Sequence, residues 1–148
     1  MTKPNRKKKS DVELCKDFYS KCRNYRSNLS KIEYNHLRYQ EVINDMYGIK
    51  SATMKEVILE NSGDPTHTWK HELVDKKDML LLQRASLLYD TYIVDKVLFD
   101  VSEEIEKMIT ECYIDRVKKH DDIAHDYKRS KPTMYADMNR AVINELKK

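Results

Sequence analysis

The sequence predicts an all-α protein, and three observations carry that prediction. Glycine and proline are scarce, two Gly and three Pro in 148 residues, which is too few turn formers for a multi-stranded sheet or a Gly-rich nucleotide loop. The chain is rich in Lys, Glu, Leu, Asp and Met, a composition that favours long helices. Apolar residues also recur at steps of three and four over long stretches, the period of a helix face. Charged residues make up 36% of the chain, so most of the surface is expected to be solvated helix faces.

The elements follow in order. Residues 1–10 carry Lys3, Arg6, Lys7, Lys8 and Lys9 and no acid, and read as a basic disordered tail. From Asp11 a long helix is predicted as far as Tyr47. Within it Cys15, Phe18, Cys22, Tyr25, Leu29, Ile32, His36, Tyr39, Ile43 and Met46 alternate steps of three and four without a slip. That is an a/d heptad seam of roughly 48 Å at 1.5 Å per residue. The seam is aromatic and Cys-rich, which suits packing on another helix of the same chain, with self-association as the alternative.

Gly48 follows as a C′ glycine that ends the helix. Residues 48–71 hold both glycines, Pro65 and a Ser/Asn/Asp/Thr cluster at 61–68, and read as a connector. A short helical or extended piece is expected within it around Met54–Leu59. A second long helix is predicted from Glu72 to Phe99. Its Leu73, Leu80, Leu87 and Val94 recur at seven, with Leu81, Leu88, Tyr92 and Leu98 beside them, a stripe able to cover the first helix in an antiparallel hairpin. Asp100 and Ser102 are cap candidates for a third helix running to Tyr113, with Ile105, Met108, Ile109 and Cys112 inward. A short helix is expected at 119–127, then a polar turn, Lys128-Arg129-Ser130, then a final helix from Lys131 to the end. Ser130 is its N-cap and Pro132 falls in its first turn, where a missing N–H costs nothing. The predicted organisation is therefore a basic tail at 1–10, a helical hairpin at 11–100 with its connector at 48–71, and a small C-terminal helix-turn-helix domain at 102–148.

Charge is unevenly spread. Residues 75–112 carry five basic and nine acidic groups, and residues 116–148 carry nine basic and five acidic groups. Basic ends around an acidic middle fit phosphate neutralisation at the ends. Cys15, Cys22 and Cys112 are odd in number and form no CxxC, which fits reduced thiols in a cytoplasm. No apolar run of membrane length and no signal-peptide core is present, so neither a membrane nor secretion is expected.

No catalytic set is visible. The chain has no P-loop, no GxSxG and no HExxH, and the expectation is a non-enzymatic protein without cofactor or metal. His67 and His71 stand four apart but lack zinc-site companions. His120 and His125 point to different faces, and His36 falls on the seam as an interhelical residue. Trp69, the single tryptophan, is expected to anchor the connector on the hairpin, a partner-binding aromatic being the sharper alternative.

The segment of interest is HDDIAHDYKRSKPTMYADMNRAVINELKK, residues 120–148. A short helix, a three-residue turn and a capped helix with basic residues at its start form the helix-turn-helix pattern. Ala124 is small where the helices cross, Ile123 and Tyr127 face the core, and Met134, Met138, Ala141 and Val142 return an apolar stripe. The start of the last helix then points outward, where free N–H groups favour phosphate.

Residues 112–148 resemble the sigma-factor region-4-type helix-turn-helix of phage late-gene transcriptional activators of the RinA/ArpU type. The residues that carry the resemblance are Tyr113, Ile123, Ala124, Ser130, Thr133, Met134, Tyr135, Arg140 and Ala141, about a quarter of the chain by span. The sequence departs from that pattern with Lys128 and Arg129 in the turn and with Asp137 in the place of a core aliphatic. The resemblance implies a phage or prophage DNA-binding activator without a cofactor, expected in a bacterial host cytoplasm with double-stranded DNA as partner, and the hairpin is expected either to dimerise the protein or to dock it on RNA polymerase. A wheel centred on the apolar stripe turns Thr133, Ala136, Asp137 and Arg140 outward. The motif's own frame turns out Ser130, Tyr135, Ala136 and Asn139. The union is the candidate DNA-binding set: Ser130, Thr133, Tyr135, Ala136, Asn139 and Arg140, with Lys128, Arg129 and Lys131 as backbone-positioning groups. Two alternatives stand beside this reading: an oligomer of the phage small terminase type, and a helical protein-interaction module that binds no DNA.

Overall fold

The computed structural model describes residues 9–52 and 65–148. The described residues are helical, with no strand among them. Helix α1 spans Asp11–Arg23, α2 Tyr25–Ala52, α3 Pro65–Asp100 and α4 Glu103–Ile109; a π-helical turn covers Thr110–Asp115, α5 spans His120–Asp126 and α6 spans Lys131–Leu146. Residues 1–8 of the tail predicted at 1–10 and the piece around Met54–Leu59 lie outside the described residues, as do the side chains of Trp69 and His67; Lys9 and Ser10 are described, Lys9 paired with Asp17 and Ser10 capping α1.

Four boundaries differ from the sequence reading. The first long helix is divided at Asn24, whose backbone N–H reaches back to the Ser20 and Cys22 carbonyls. The second part then continues through Gly48 to Ala52. A C′ glycine stops a helix by turning left-handed, and Gly48 keeps helical backbone at a cost of about 1 kcal/mol against Ala. Helix α3 starts at Pro65 rather than at Glu72, with proline where a first-turn N–H is not needed. The expected single helix to Tyr113 becomes α4, whose N-cap Ser102 accepts from the Ile105 N–H at 3.3 Å, followed by the π turn.

The chain forms two compact units, Met1–Ser27 with Asp90–Lys148, and Asn28–Tyr89. In the first, α1 packs on α6 and on the π turn, and α4 and α5 pack on α6. Its core joins Phe18 and Cys22 of α1, Val94 and Val97 of α3, Met108 and Ile109 of α4, Cys112, Ile123 and Ala124, and Met134, Met138 and Val142 of α6. Burial of each large side chain in this set contributes about 1.5–3 kcal/mol.

In the second unit the buried stripe of α2 is not the expected seam. Asn28, Asn35 and Val42 are buried, whereas Leu29 is 45% exposed and His36 is exposed. Ile32, Tyr39, Ile43 and Met46 of the seam stay half-buried, and Asn28 and Asn35 are buried where Leu29 and His36 were expected. The buried amide is satisfied: Asn35 Nδ2 donates to the Leu80 carbonyl at 2.9 Å, and Arg84 Nε donates to Asn35 Oδ1 at 3.0 Å. The Arg84 guanidinium lies 4.9 Å from the centre of the Tyr39 ring. A buried asparagine held in this way fixes helix register more than it adds stability.

Candidate nucleic-acid interface

Helix α5 ends in a Schellman turn. The Lys128 N–H donates to the His125 carbonyl at 3.0 Å and the Arg129 N–H to the Ala124 carbonyl at 2.9 Å, and Lys128 takes a left-handed φ of 55°. Glycine is the usual residue there, and lysine accepts about 1 kcal/mol or more of strain to hold it. The turn brings Ser130 to the N-cap of α6. Its Oγ accepts from the Thr133 N–H at 3.4 Å and its hydroxyl donates to Thr133 Oγ1 at 2.7 Å.

The rotation of α6 follows from its apolar stripe. Met134, Met138 and Val142, four apart, are fully buried. That turns Lys131, Thr133, Ala136 and Arg140 to solvent. Tyr135 and Asn139 face the protein instead. The Tyr135 hydroxyl lies 2.5 Å from His120 Nδ1. Asn139 Oδ1 accepts from the Tyr19 hydroxyl at 2.5 Å, and its carbonyl takes the Cys15 thiol at 3.9 Å. The stripe-centred frame is therefore the one the fold adopts for Thr133, Ala136 and Arg140.

Asp137, which that frame also turned outward, is half-buried against Arg129. Arg129 Nε donates to Asp137 Oδ2 at 2.9 Å, and its Nη1 donates to Glu104 Oε1 at 2.5 Å. These hydrogen bonds, to Glu104 first and Asp137 second, raise the guanidinium pKa still further, and the guanidinium lowers that of Glu104. Arg129 thus ties α4, the turn and α6 together. Lys131 lies 3.6 Å from Asp121 with its side chain half in solvent. Lys128 and Arg140 are exposed, and among the described residues no ion pair joins either.

Sequence reasoning gave no role to His120 beyond its helix face. In the structure its Nε2 lies 3.2 Å from the Cys112 carbonyl, so that nitrogen carries the proton; in the neutral ring Nδ1 then accepts from Tyr135. His120 also meets the Tyr113 and Tyr135 rings edge-on, each at 5.6 Å, and Tyr113 stacks on Tyr19 at 4.0 Å. Burial pushes the Tyr113 hydroxyl up to about 12. This aromatic chain borders an open, largely apolar groove of about 360 Å³ between α1 and α6, floored by Cys15, Tyr19 and Ile143. No local sequence signal predicts it, because each contact joins residues from different elements.

Beside α5, Arg116, Lys118 and Lys119 form an exposed basic loop that the candidate set left out. Lys118 is paired with Asp126 at 3.1 Å. Among the described residues no cluster of His, Cys, Asp and Glu is arranged to hold a metal ion, and no helix is long and apolar enough to cross a membrane. No family model, curated protein or solved structure matches the chain.

Proposed function

We propose that the protein is a sequence-specific duplex-DNA-binding transcription regulator, of the kind that activates phage late genes, in which α5, the turn and α6 form a helix-turn-helix. The observation that carries this reading is the outward face of α6. Thr133, Ala136 and Arg140 line one side of a helix whose back is anchored by Met134, Met138 and Val142. Lys128 and Lys131 flank its N-terminal end, where free N–H groups and the helix dipole favour phosphate. In this reading α6 enters the major groove, Arg140 meets a base edge or phosphate, and the two lysines set register on the backbone. Helices α2 and α3 serve as an antiparallel hairpin that dimerises the protein or docks it on RNA polymerase.

The test is salt-dependent binding of the full chain to a random pool of duplex DNA, with the retained molecules sequenced. The expected result is an enriched motif and an affinity that falls steeply with salt. Arg140→Ala relaxes one position of that motif, and Lys128→Ala or Lys131→Ala weakens binding to all sequences and reduces the salt slope by about 1. Weak binding with no motif, unchanged by Arg140→Glu, overturns the proposal. It then favours a protein-interaction module, a reading supported by the engagement of Arg129, Tyr135 and Asn139 within the fold. A stable ring of many subunits would instead favour the small terminase type.

A further inference from the structure

Helix α3 is apolar beyond what its packing needs. Between Met79 and Tyr89 the sequence is MLLLQRASLLY, with Arg84 as its one charged residue. Leu80, Arg84 and Leu87 are half-buried there, and Asn35 of α2 bonds to the first two, at the Leu80 carbonyl and at Arg84 Nε. A second stripe, on the adjoining flank of the same helix, is exposed: Leu81 at 40%, Leu82 at 72%, Leu88 at 47% and Tyr89 at 60%, with exposed Ala85 at its middle. A helix that is apolar on more than one side is ordinarily buried on more than one side.

The order of this stripe indicates what covers it. At about 100° per residue, Leu81, Leu82, Leu88 and Tyr89 all fall within about 60° of the direction of Ala85. They also lie at equal distances before and after it, three and four residues on each side. A two-fold axis passing at Ala85 would therefore bring two antiparallel copies of α3 together with the small residue at the closest approach. Leu82 of one copy would meet Tyr89 of the other, and Leu81 would meet Leu88. Near such an axis every side chain faces its own copy, so a charge there would repel itself. The stripe has none, and the neighbouring guanidinium is held by Asn35 and by the Tyr39 ring. From Leu81 to Tyr89 the face is symmetric about a small residue and free of charge, with the exposed Asp78 and Tyr92 one heptad out on either side, and such a centre suits a second copy of itself better than an unrelated surface.

We propose that the protein is an isologous dimer formed by antiparallel pairing of α3 about Ala85. The dimer deepens the proposed role of α2 and α3, and its tests read association without DNA, so its failure is distinguishable from failure of DNA binding. Sedimentation of the full chain is expected to give twice the 17.7 kDa of one protein. Leu82→Lys is expected to raise the dimer dissociation constant by more than about 100-fold, because one substitution places two charges at the interface. Circular dichroism of that variant should keep the helical signal, since the fold leaves Leu82 mostly in solvent. Ala85→Cys supplies a second, independent readout: under mild oxidation it should cross-link two chains through residue 85, while Gln83→Cys should not. A monomer at 100 μM, or a dimer that Leu82→Lys leaves intact and Ala85→Cys fails to cross-link, overturns the proposal. A monomer whose stripe retains a different protein equally overturns it.

Discussion

Arg129 Nε lies 2.9 Å from Asp137 Oδ2, and this pair joins the turn after α5 to the middle of α6. A cation in the turn and an acid at a core-edge position each look unfavourable alone. Together, with the exposed Glu104 as a third member, they form an ion triad in which Arg129 and Asp137 are partly buried. Removing one member leaves the others uncompensated, so Arg129→Ala is expected to cost about 1–2 kcal/mol in urea unfolding. The double replacement Arg129→Met with Asp137→Leu should recover most of that loss. Strictly additive losses in the cycle would show that the pair is not coupled.

The same triad sets an acid limb. The Arg129 hydrogen bond and charge hold the folded-state pKa of Glu104 below the ordinary glutamate value of 4.5. Glu104 therefore contributes stability above pH 4.5, which is lost as pH falls through the lower folded value. In Arg129→Ala the decline in stability below pH 4.5 should be shallower than in the parent. An unchanged acid limb by thermal unfolding would refute this.

The two faces of α6 separate in their responses to substitution. Thr133→Ala and Arg140→Ala, on the solvent face, should change stability by less than about 0.5 kcal/mol. Tyr135→Phe and Asn139→Ala break bonds to His120 and Tyr19 and should each cost about 1–2 kcal/mol. Chemical denaturation of the four variants checks the rotation of the helix without reference to DNA. Equal losses from both pairs would mean that α6 is turned differently.

Core and cap contribute in separable amounts. Met138→Ala leaves a void at a fully buried position and should cost about 2–5 kcal/mol. Ser130→Ala removes the side-chain cap to Thr133 and should cost about 1 kcal/mol. Urea midpoints of the two variants are expected in that order.

The cysteines are expected to react slowly while the protein is folded. All three thiols are free and buried. Burial pushes Cys22 up to about 12 and Cys112 up to about 11, so at pH 8 both are protonated and poor nucleophiles. A chromogenic disulfide reagent should react slowly with the native protein and with three thiols in guanidinium. A fast reaction in the native state would contradict this burial.

Sequence by itself determined the helical class, the cap Ser130, the turn after α5, and the inward positions Met108, Ile109, Ile123, Ala124, Met134, Met138 and Val142, while between Asp100 and Ser102 as cap of α4 the fold decided for Ser102. Each of those signals lies within a turn or two of the residue it concerns: a hydroxyl three residues from an N–H, or apolar residues repeating at the helical period. Tertiary structure decided the rest. The expected seam failed at Leu29 and His36, beside which Asn28 and Asn35 are buried instead, Asn35 being held by the Leu80 carbonyl and Arg84. Asn139 was turned inward by Tyr19, 120 residues away, and Arg129 was drawn to Glu104, 25 residues away. Local periodicity ranks the faces of a helix, but which polar side chain is held in the interior depends on partners that only the folded chain brings within hydrogen-bond reach.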